Sequence, residues 1–467
     1  SDIEDIYPLS PMQEGMLFHH LYDRSSVAYF LQTSYQIHGT LDISFVQRSL
    51  VELSRRHDVL RTAFVFSEAS RSLQAVLKSR EIEFAYHDFR VFGWAEMGDR
   101  VRSFKEADRL RSFDLSRDVL MRVHVLHLSD DVYEFIWSYH HILMDGWCLG
   151  TLTREYYEIY NSYIENRSYH LPVVRQYKHY IQWLSLQDES AAASYWSAYL
   201  SSYSGLSSVP ALPSGSRNKG DYFLNKTGFS LGVALTRQVV SYARSRRVTL
   251  NTVIETVWGI LLSRYNHTQD VVFGSVVSGR PGNLDGVEDI IGLFINTVPV
   301  RICYEAGTTF SSLVKGVQHD SLDGARYHYY PLAKIQSSVT GQPLLDHIMV
   351  FENYPDMQPP AEPAGADEVE NPGPEVVSVD IFEHNNYSFT VIVMPGEDIS
   401  IRLDYDGRMY DRSFIERIPG HFLTILDEAL KNDIPVSRLS LLSASEREEL
   451  LSSFSHGAVT EYGDEDT

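Results

Sequence analysis

Hydrophobic and polar positions follow two rhythms along this chain, and together they predict alternating helices and strands. In LDISFVQRSLVELSRRHDVLRTAF, the residues Phe45, Val46, Leu50 and Leu53 recur on one helical face, with Ser44 in the place of an N-cap. The RTAFVF that closes this stretch reads as a strand. MRVHVLHL alternates with period two, Asp130-Asp131 marks a turn, and VYEFIWSYH reads as a second strand, so the two are expected side by side in one sheet. From Gly146 to about Ile164 the helical period returns.

After about residue 170 the same grammar restarts. TLNTVIETVWGILLSRY sets Val253, Ile254, Val257, Trp258, Leu261 and Leu262 on one broad helical face, with Thr252 and Glu255 at capping-box spacing, and the strand DVVFGSVVSG follows. Two similar α/β lobes are therefore expected, although no sequence identity between them is visible. LPSGSRNKGDYF (212–223) reads as an exposed loop. Residues 355–374 hold six of the eighteen prolines, several acids and no Lys or Arg, the composition of a long loop. NYSFTVIVM and DISIRLDYDG flank Pro395-Gly396 as a hairpin. The closing SHGAVTEYGDEDT reads as a linker and not as a packed end.

Composition narrows the class. A chain of 467 residues with 43% hydrophobic positions can bury a large core divided among two to three domains. No apolar run reaches the ~20 residues that span a bilayer, and the opening SDIEDIYPLSPMQEG lacks a basic-then-apolar leader. The formal net charge of −22 disfavours nucleic acid and anionic membrane surfaces as partners. Arg244 to Arg247 form a basic patch, read first as a solvated helix end and second as a contact for an acidic protein. Two cysteines, Cys148 and Cys303, make a disulfide framework unexpected and suit a reducing cytoplasm.

The strongest candidate chemistry is His140-His141-Ile142-Leu143-Met144-Asp145-Gly146, where a strand ends and a helix begins. Such a junction holds side chains at the mouth of a sheet between two rigid elements. Imidazole suits proton traffic near neutral pH, and successive side chains on a strand face opposite ways, so one histidine can meet a substrate while the other packs. Asp145 is placed to brace the turn against a cation. A metal site is not expected, since HHxxxD lacks the helical i, i+4 histidine pair with an intervening Glu. His19 and His20 have no acid neighbours in sequence and are read as lying outside the chemistry. Cys148 is read as a small buried residue in preference to a nucleophile.

HHILMDG resembles the HHxxxDG signature of the condensation domains of nonribosomal peptide synthetases, of the chloramphenicol-acetyltransferase-like superfamily. Further motifs follow in that family's order: YPLSPMQEGMLFH (7–19), RRHDVLRTAF (55–64), QYKHYIQW (176–183), IGLFINTVPVR (291–301), YHYYPLAKI (327–335) and LLDHIMVFENYP (344–355). The resemblance covers about residues 5 to 454. It implies an α/β fold of two acetyltransferase-like lobes in a V-shaped pseudodimer with a central tunnel. The lobes are expected at 1–172 and, with crossing loops, at 173–454, followed by a linker at 455–467 toward a downstream domain.

The same resemblance implies that an upstream carrier protein brings an acyl or peptidyl thioester on a phosphopantetheine arm. A downstream carrier brings the aminoacyl thioester whose amine attacks it. No metal or cofactor is expected in the domain itself. His141 is expected at the attacking amine, as a base or as a positioning group, with His140 orienting and packed. The N–H of Gly146 is a candidate for the oxyanion, and Asp145 is expected to pair with Arg280 of SGRP in a structural role. A neighbouring adenylation domain is expected. Epimerisation domains typically carry Ser-Trp soon after the aspartate, where this chain has DGWC, and cyclisation domains replace both histidines. PMQEGMLFH and HHILMDGWC look most like the subgroup that accepts a D-configured donor, which would imply an upstream epimerisation domain. Two other classes share the fold: acyltransferases that take coenzyme A thioesters, and docking modules that have typically lost the motif.

Overall fold

The computed structural model of the chain describes residues 2–23, 28–66, 72–213, 223–339, 343–352 and 374–455. Its described strands form three sheets. The first is small, with β1 (Ile3–Pro8), β4 (Leu73–Leu77) and β3 (Thr62–Val65) in that order. The second has five strands: β12 (Glu375–Glu383), β2 (Phe30–His38), β7 (Val132–His140), β6 (Met121–Ser129) and β5 (Glu83–Asp88). The third has six: β10 (Asn296–Cys303), β9 (Asp270–Val277), β11 (Ile348–Phe351), β13 (Phe389–Met394), β14 (Ser400–Asp406) and β8 (Leu224–Ser230).

The alternating runs form strands as their pattern predicts. β6 and β7 pair antiparallel from Met121↔Tyr139 to Ser129↔Val132 around Asp130-Asp131. β13 and β14 pair from Phe389↔Tyr405 to Met394↔Ser400 around Pro395-Gly396. One pairing crosses the halves of the chain: β12 lies antiparallel to β2, with Phe382 opposite Gln32.

The first helical pattern becomes the helix Ile43–Arg56, with Val46, Leu50 and Leu53 fully buried. Its cap is not Ser44 but Asp42, whose carboxylate accepts the N–H groups of Ser44 and Phe45 at 2.9 and 3.1 Å. A carboxylate at this position meets two orphan donors and adds negative charge at the positive end of the helix. The second pattern becomes Leu250–Tyr265. Here Thr249 is the N-cap, accepting from Thr252 N at 3.1 Å, so the expected Thr252–Glu255 capping box does not form. Glu255 instead turns inward and accepts from Ser275 Oγ at 2.6 Å. Every residue from Thr252 to Ser263 is buried, because helices and sheet cover this element on all sides.

One core joins the five-stranded sheet to the helices Ile43–Arg56 and Trp147–Ile164 and also takes in Ile291 and Leu293 from the second half. Another surrounds Leu250–Tyr265 and the six-stranded sheet. Tyr7, Tyr177, Tyr180, Ile290 and Phe294 form a smaller one that ties β1 to the segment after Arg280. Arg244 and Arg247 are exposed at the end of the helix Val233–Arg246. Most of the loop expected at 212–223, all but Pro374 of the one at 355–374, and the linker beyond Ser455 lie outside the described residues; Ser455 itself ends the helix Ala444–Ser455. No helix among the described residues is long and apolar enough to cross a membrane.

Candidate active site

β7 carries the first histidine as its last residue, and the ladder runs one step further. His141 N donates to Tyr29 O at 2.8 Å, so the second histidine is still fixed by the sheet. Both are buried. His140 Nδ1 accepts the N–H of Ile142 at 3.1 Å, and its ring packs 6.1 Å from that of His20. Burial, with His20 and His141 beside it, pushes its pKa down to about 3. A neutral ring whose Nδ1 is already an acceptor is in the Nε2–H form and cannot act as a base near neutrality. His141 differs: its Nδ1 is buried without a hydrogen-bond partner, while its Nε2 lies 3.8 Å from Glu383 Oε1 on β12.

The turn after the histidines is held from four directions. Asp145 and Arg280, both nearly inaccessible, pair at 3.3 Å. The other Asp145 oxygen accepts the N–H of Phe294 at 2.9 Å, and Asp145 N donates to Gly292 O at 3.3 Å. Arg280 reaches the carbonyls of Val287 and Ile290 at 2.5 and 3.0 Å and lies over the Phe294 ring. Gln13, buried in the opening motif, donates to Ile142 O at 3.1 Å. Gly146 then precedes the helix Trp147–Ile164 in helical conformation. Cys148 sits inside this network, 3.3 Å from both Gly292 O and Arg280. Burial, reinforced by Asp145, pushes its thiol up to about 12, so it is no nucleophile near neutral pH.

The other motifs serve as frame. In RRHD, His57 and Arg56 grip Glu155 on the helix after the turn, at 2.6 and 3.1 Å. Burial alone would raise the Glu155 pKa, yet His57 and Arg56 hold it down to about 2. In QYKHYIQW, the Tyr177 hydroxyl donates to Leu293 O at 2.5 Å, and its ring lies where a Cβ on Gly292 would stand, 2.0 Å away. Asn296 Nδ2 donates to the carbonyls of His328 and Tyr330 at 2.7 and 2.8 Å, linking two further motifs.

Gly279, just before Arg280, has φ +62°, and an added Cβ would fall 1.8 Å from Phe294 O. Gly279→Ala is therefore expected to destabilise by about 1–3 kcal/mol through the strained conformation alone. Urea unfolding checks this; an unchanged midpoint would show that the Arg280 turn has room to shift.

The predicted residues His140, His141, Asp145, Gly146 and Arg280 thus come together. His19 and His20, expected outside the chemistry, stand beside it: His19 Nε2 is 3.1 Å from Asn386 Nδ2, and His20 faces His140. Gln13, Tyr29 and Glu383 also belong to the site, and sequence spacing carries no sign of contacts made from more than a hundred residues away. A cleft of about 690 Å³ lies elsewhere, lined among others by Tyr7, Lys178 and Tyr329 and by none of the predicted site residues. Among the described residues, no group of three or more His, Cys, Asp or Glu side chains is placed to hold a metal ion.

Comparison with known proteins gives three findings. The family model described as Condensation domain matches residues 3–451. Surfactin synthase subunit 3 of Bacillus subtilis (strain 168) is 38% identical over 450 residues, covering 96% of this chain and 35% of that protein. Tyrocidine synthase 2 of Brevibacillus parabrevis is 38% identical over 451 residues, with 96% and 12% covered. Gramicidin S synthase 2 of Brevibacillus brevis is 39% identical over 464 residues, with 99% and 10% covered. The chain thus spans between 10% and 35% of these relatives. Among solved structures, the first condensation domain of the calcium-dependent antibiotic synthetase matches at TM-score 0.72 and 16% identity, covering 94% of this chain and all of that one. A four-domain nonribosomal peptide synthetase bound to AMP and glycine matches at TM-score 0.75 and 15% identity, covering 95% of this chain and 34% of that one. At such identities the likeness is one of fold, and it agrees with the mixed α/β class expected from sequence.

Proposed function

The chain belongs to the condensation-domain family, and from that premise we propose that it forms an amide bond between two carrier-bound thioesters. An upstream carrier protein presents an aminoacyl or peptidyl donor on its phosphopantetheine arm, and a downstream carrier presents an aminoacyl acceptor. The acceptor amine attacks the donor carbonyl carbon, the C–N bond forms, the C–S bond breaks, and the sulfur leaves as a thiol. An adenylation domain is the expected neighbour, and the cytoplasm the expected setting. In this reading the lobes 1–172 and 173–454 enclose the tunnel in which the two arms meet, and 455–467 leads toward the next domain.

One observation carries the reading: His141 is locked at a strand end, with one ring nitrogen buried and the other turned toward the half-exposed Glu383. A thioester is already activated, so alignment supplies much of the rate; good orientation gives ~7–11 kcal/mol. His141 accepts the proton of the amine or positions it by a hydrogen bond. The N–H of Gly146 faces the developing oxyanion, the neutral His140 orients its neighbour, and Asp145 with Arg280 fixes the turn. The test supplies the same donor on a carrier and on coenzyme A, with a loaded acceptor carrier. Amide product from the carrier-bound donor is expected to dominate; equal use of coenzyme A would favour the acyltransferase reading.

The donor is proposed to be D-configured, made so by an upstream epimerisation domain, from the likeness of PMQEG and DGWC to that subgroup. A site that holds one hand of the α-carbon swings the carbonyl of the other away from the amine, and ~1 Å of misplacement costs on the order of 10²-fold. A D-terminal donor on a carrier without an active epimerisation domain is expected to react at least ~10-fold faster than its L-epimer. Product chirality against synthetic standards reads the outcome. A preference for the L-donor would end the subgroup assignment and leave amide formation standing.

A further inference from the structure

An aminoacyl thioester carries an α-amino group of the kind that titrates at about 8. Near neutral pH much of it is an ammonium, which has no lone pair with which to attack. One proton must leave before the C–N bond forms and another as it forms. The proposed role of His141 accounts for one of these protons.

Glu383 Oε1 lies 3.8 Å from His141 Nε2. That is too far for a hydrogen bond between the two. A nitrogen about 2.9 Å from each would bridge them. Backbone pairing holds the two residues side by side. Glu383 pairs with Leu31 in the sheet, and the next residue, His384, accepts the N–H of Tyr29 at 2.7 Å. Tyr29 in turn accepts the N–H of His141 at 2.8 Å. The Glu383 side chain is 40% exposed against 10% for His141, so it can return a proton to water.

We propose that Glu383 is a second catalytic residue, which receives the ammonium of the acceptor opposite His141 and takes its first proton. The inference rests on the condensation reading given above. The first proton passes from the ammonium to the Glu383 carboxylate and on to solvent. The neutral amine then forms the C–N bond at the donor carbonyl, and the C–S bond breaks. The second amine proton passes by way of His141 to the leaving sulfur. The sum is ammonium plus thioester giving amide, thiol and one released proton.

Titratable and charged groups approach Glu383 from several elements. His141 faces it from the end of β7, His384 follows it, Glu352 approaches from the end of β11, and Arg402 and Asp404 lie on β14. Burial first and Glu383 second push the Glu352 carboxyl up to about 7, against the opposing pull of Arg402.

The test measures single-turnover amide formation between loaded donor and acceptor carriers at pH 6.5, 7.5 and 8.5, corrected for thioester hydrolysis without the protein. Glu383→Gln is expected to slow the reaction ~10–100-fold at pH 6.5, with the deficit shrinking to within ~3-fold at pH 8.5, where the amine is already largely neutral. Glu383→Asp keeps the charge and is expected to keep the wild-type pH profile at a lower rate. A Gln deficit equal at every pH, a rate unchanged at pH 6.5, or an Asp variant as pH-dependent as the Gln variant would overturn the proposal. His141→Ala in the same series separates the two ideas. A His141 variant at wild-type rate would overturn the condensation role of that residue, whereas a flat Glu383→Gln profile beside a large His141 loss would overturn only the role of Glu383.

Discussion

Replacing His141 with Ala is expected to slow amide formation by about 10²–10⁴-fold while the domain stays folded. The fold survives because the sheet holds this position by its backbone: the bond from His141 N to Tyr29 O does not involve the imidazole. The buried Nδ1 has no hydrogen-bond partner to lose. What disappears is the single ring edge that faces Glu383. Peptide transfer between loaded carriers measures the rate, and circular dichroism checks the fold. A rate close to wild type would remove His141 from the centre of the mechanism. His140→Ala would behave differently, because that ring fills a buried site and accepts the Ile142 N–H, so stability should suffer along with rate.

The second large effect is structural. Asp145→Ala and Arg280→Ala are each expected to cost about 3–5 kcal/mol of stability, since each strands a buried partner. Asp145→Ala should be the worse of the two. It leaves Arg280 without its carboxylate and also leaves Phe294 N–H without an acceptor. Arg280→Ala leaves Asp145 still bonded to Phe294 N. The double variant should be no worse than the poorer single one, because the second change removes a group that has already lost its charged partner. Denaturant unfolding of all four proteins closes the cycle. Strictly additive losses would mean that the two residues do not depend on each other.

The site was legible in sequence where its chemistry is local. HHILMDG falls between a period-two run and a period-3.6 run, and that junction is where the structure places it. The helix caps are less legible. Ser44 and Thr252 are good capping types, but Asp42 and Thr249 stand at the true ends, and a choice among nearby Ser, Thr and Asp is not decided by the apolar period that follows. Composition said nothing of Glu383, since its meaning depends on a strand that pairs far from its sequence neighbours. His19 and His20 have no nearby acids in sequence, and their partners, Asn386 and His140, arrive from other elements. Arg280 was found only through the family motif; a single arginine in SGRP has no local signature of a buried ion pair.

The pairing of β12 with β2 has a consequence for how the protein is made. Phe382 and Gln32 are neighbours in the sheet but about 350 residues apart in the chain. A ribosome adding residues at about 5–20 per second leaves β2 without this neighbour for roughly 20–70 seconds. During that interval one side of β2 is an open row of hydrogen-bonding groups, the kind of edge that recruits strands from other nascent chains. Expression in slowly translating or crowded cells should therefore raise the share of insoluble product, and shortening the delay by circular permutation, with β12 placed ahead of β2, should lower it.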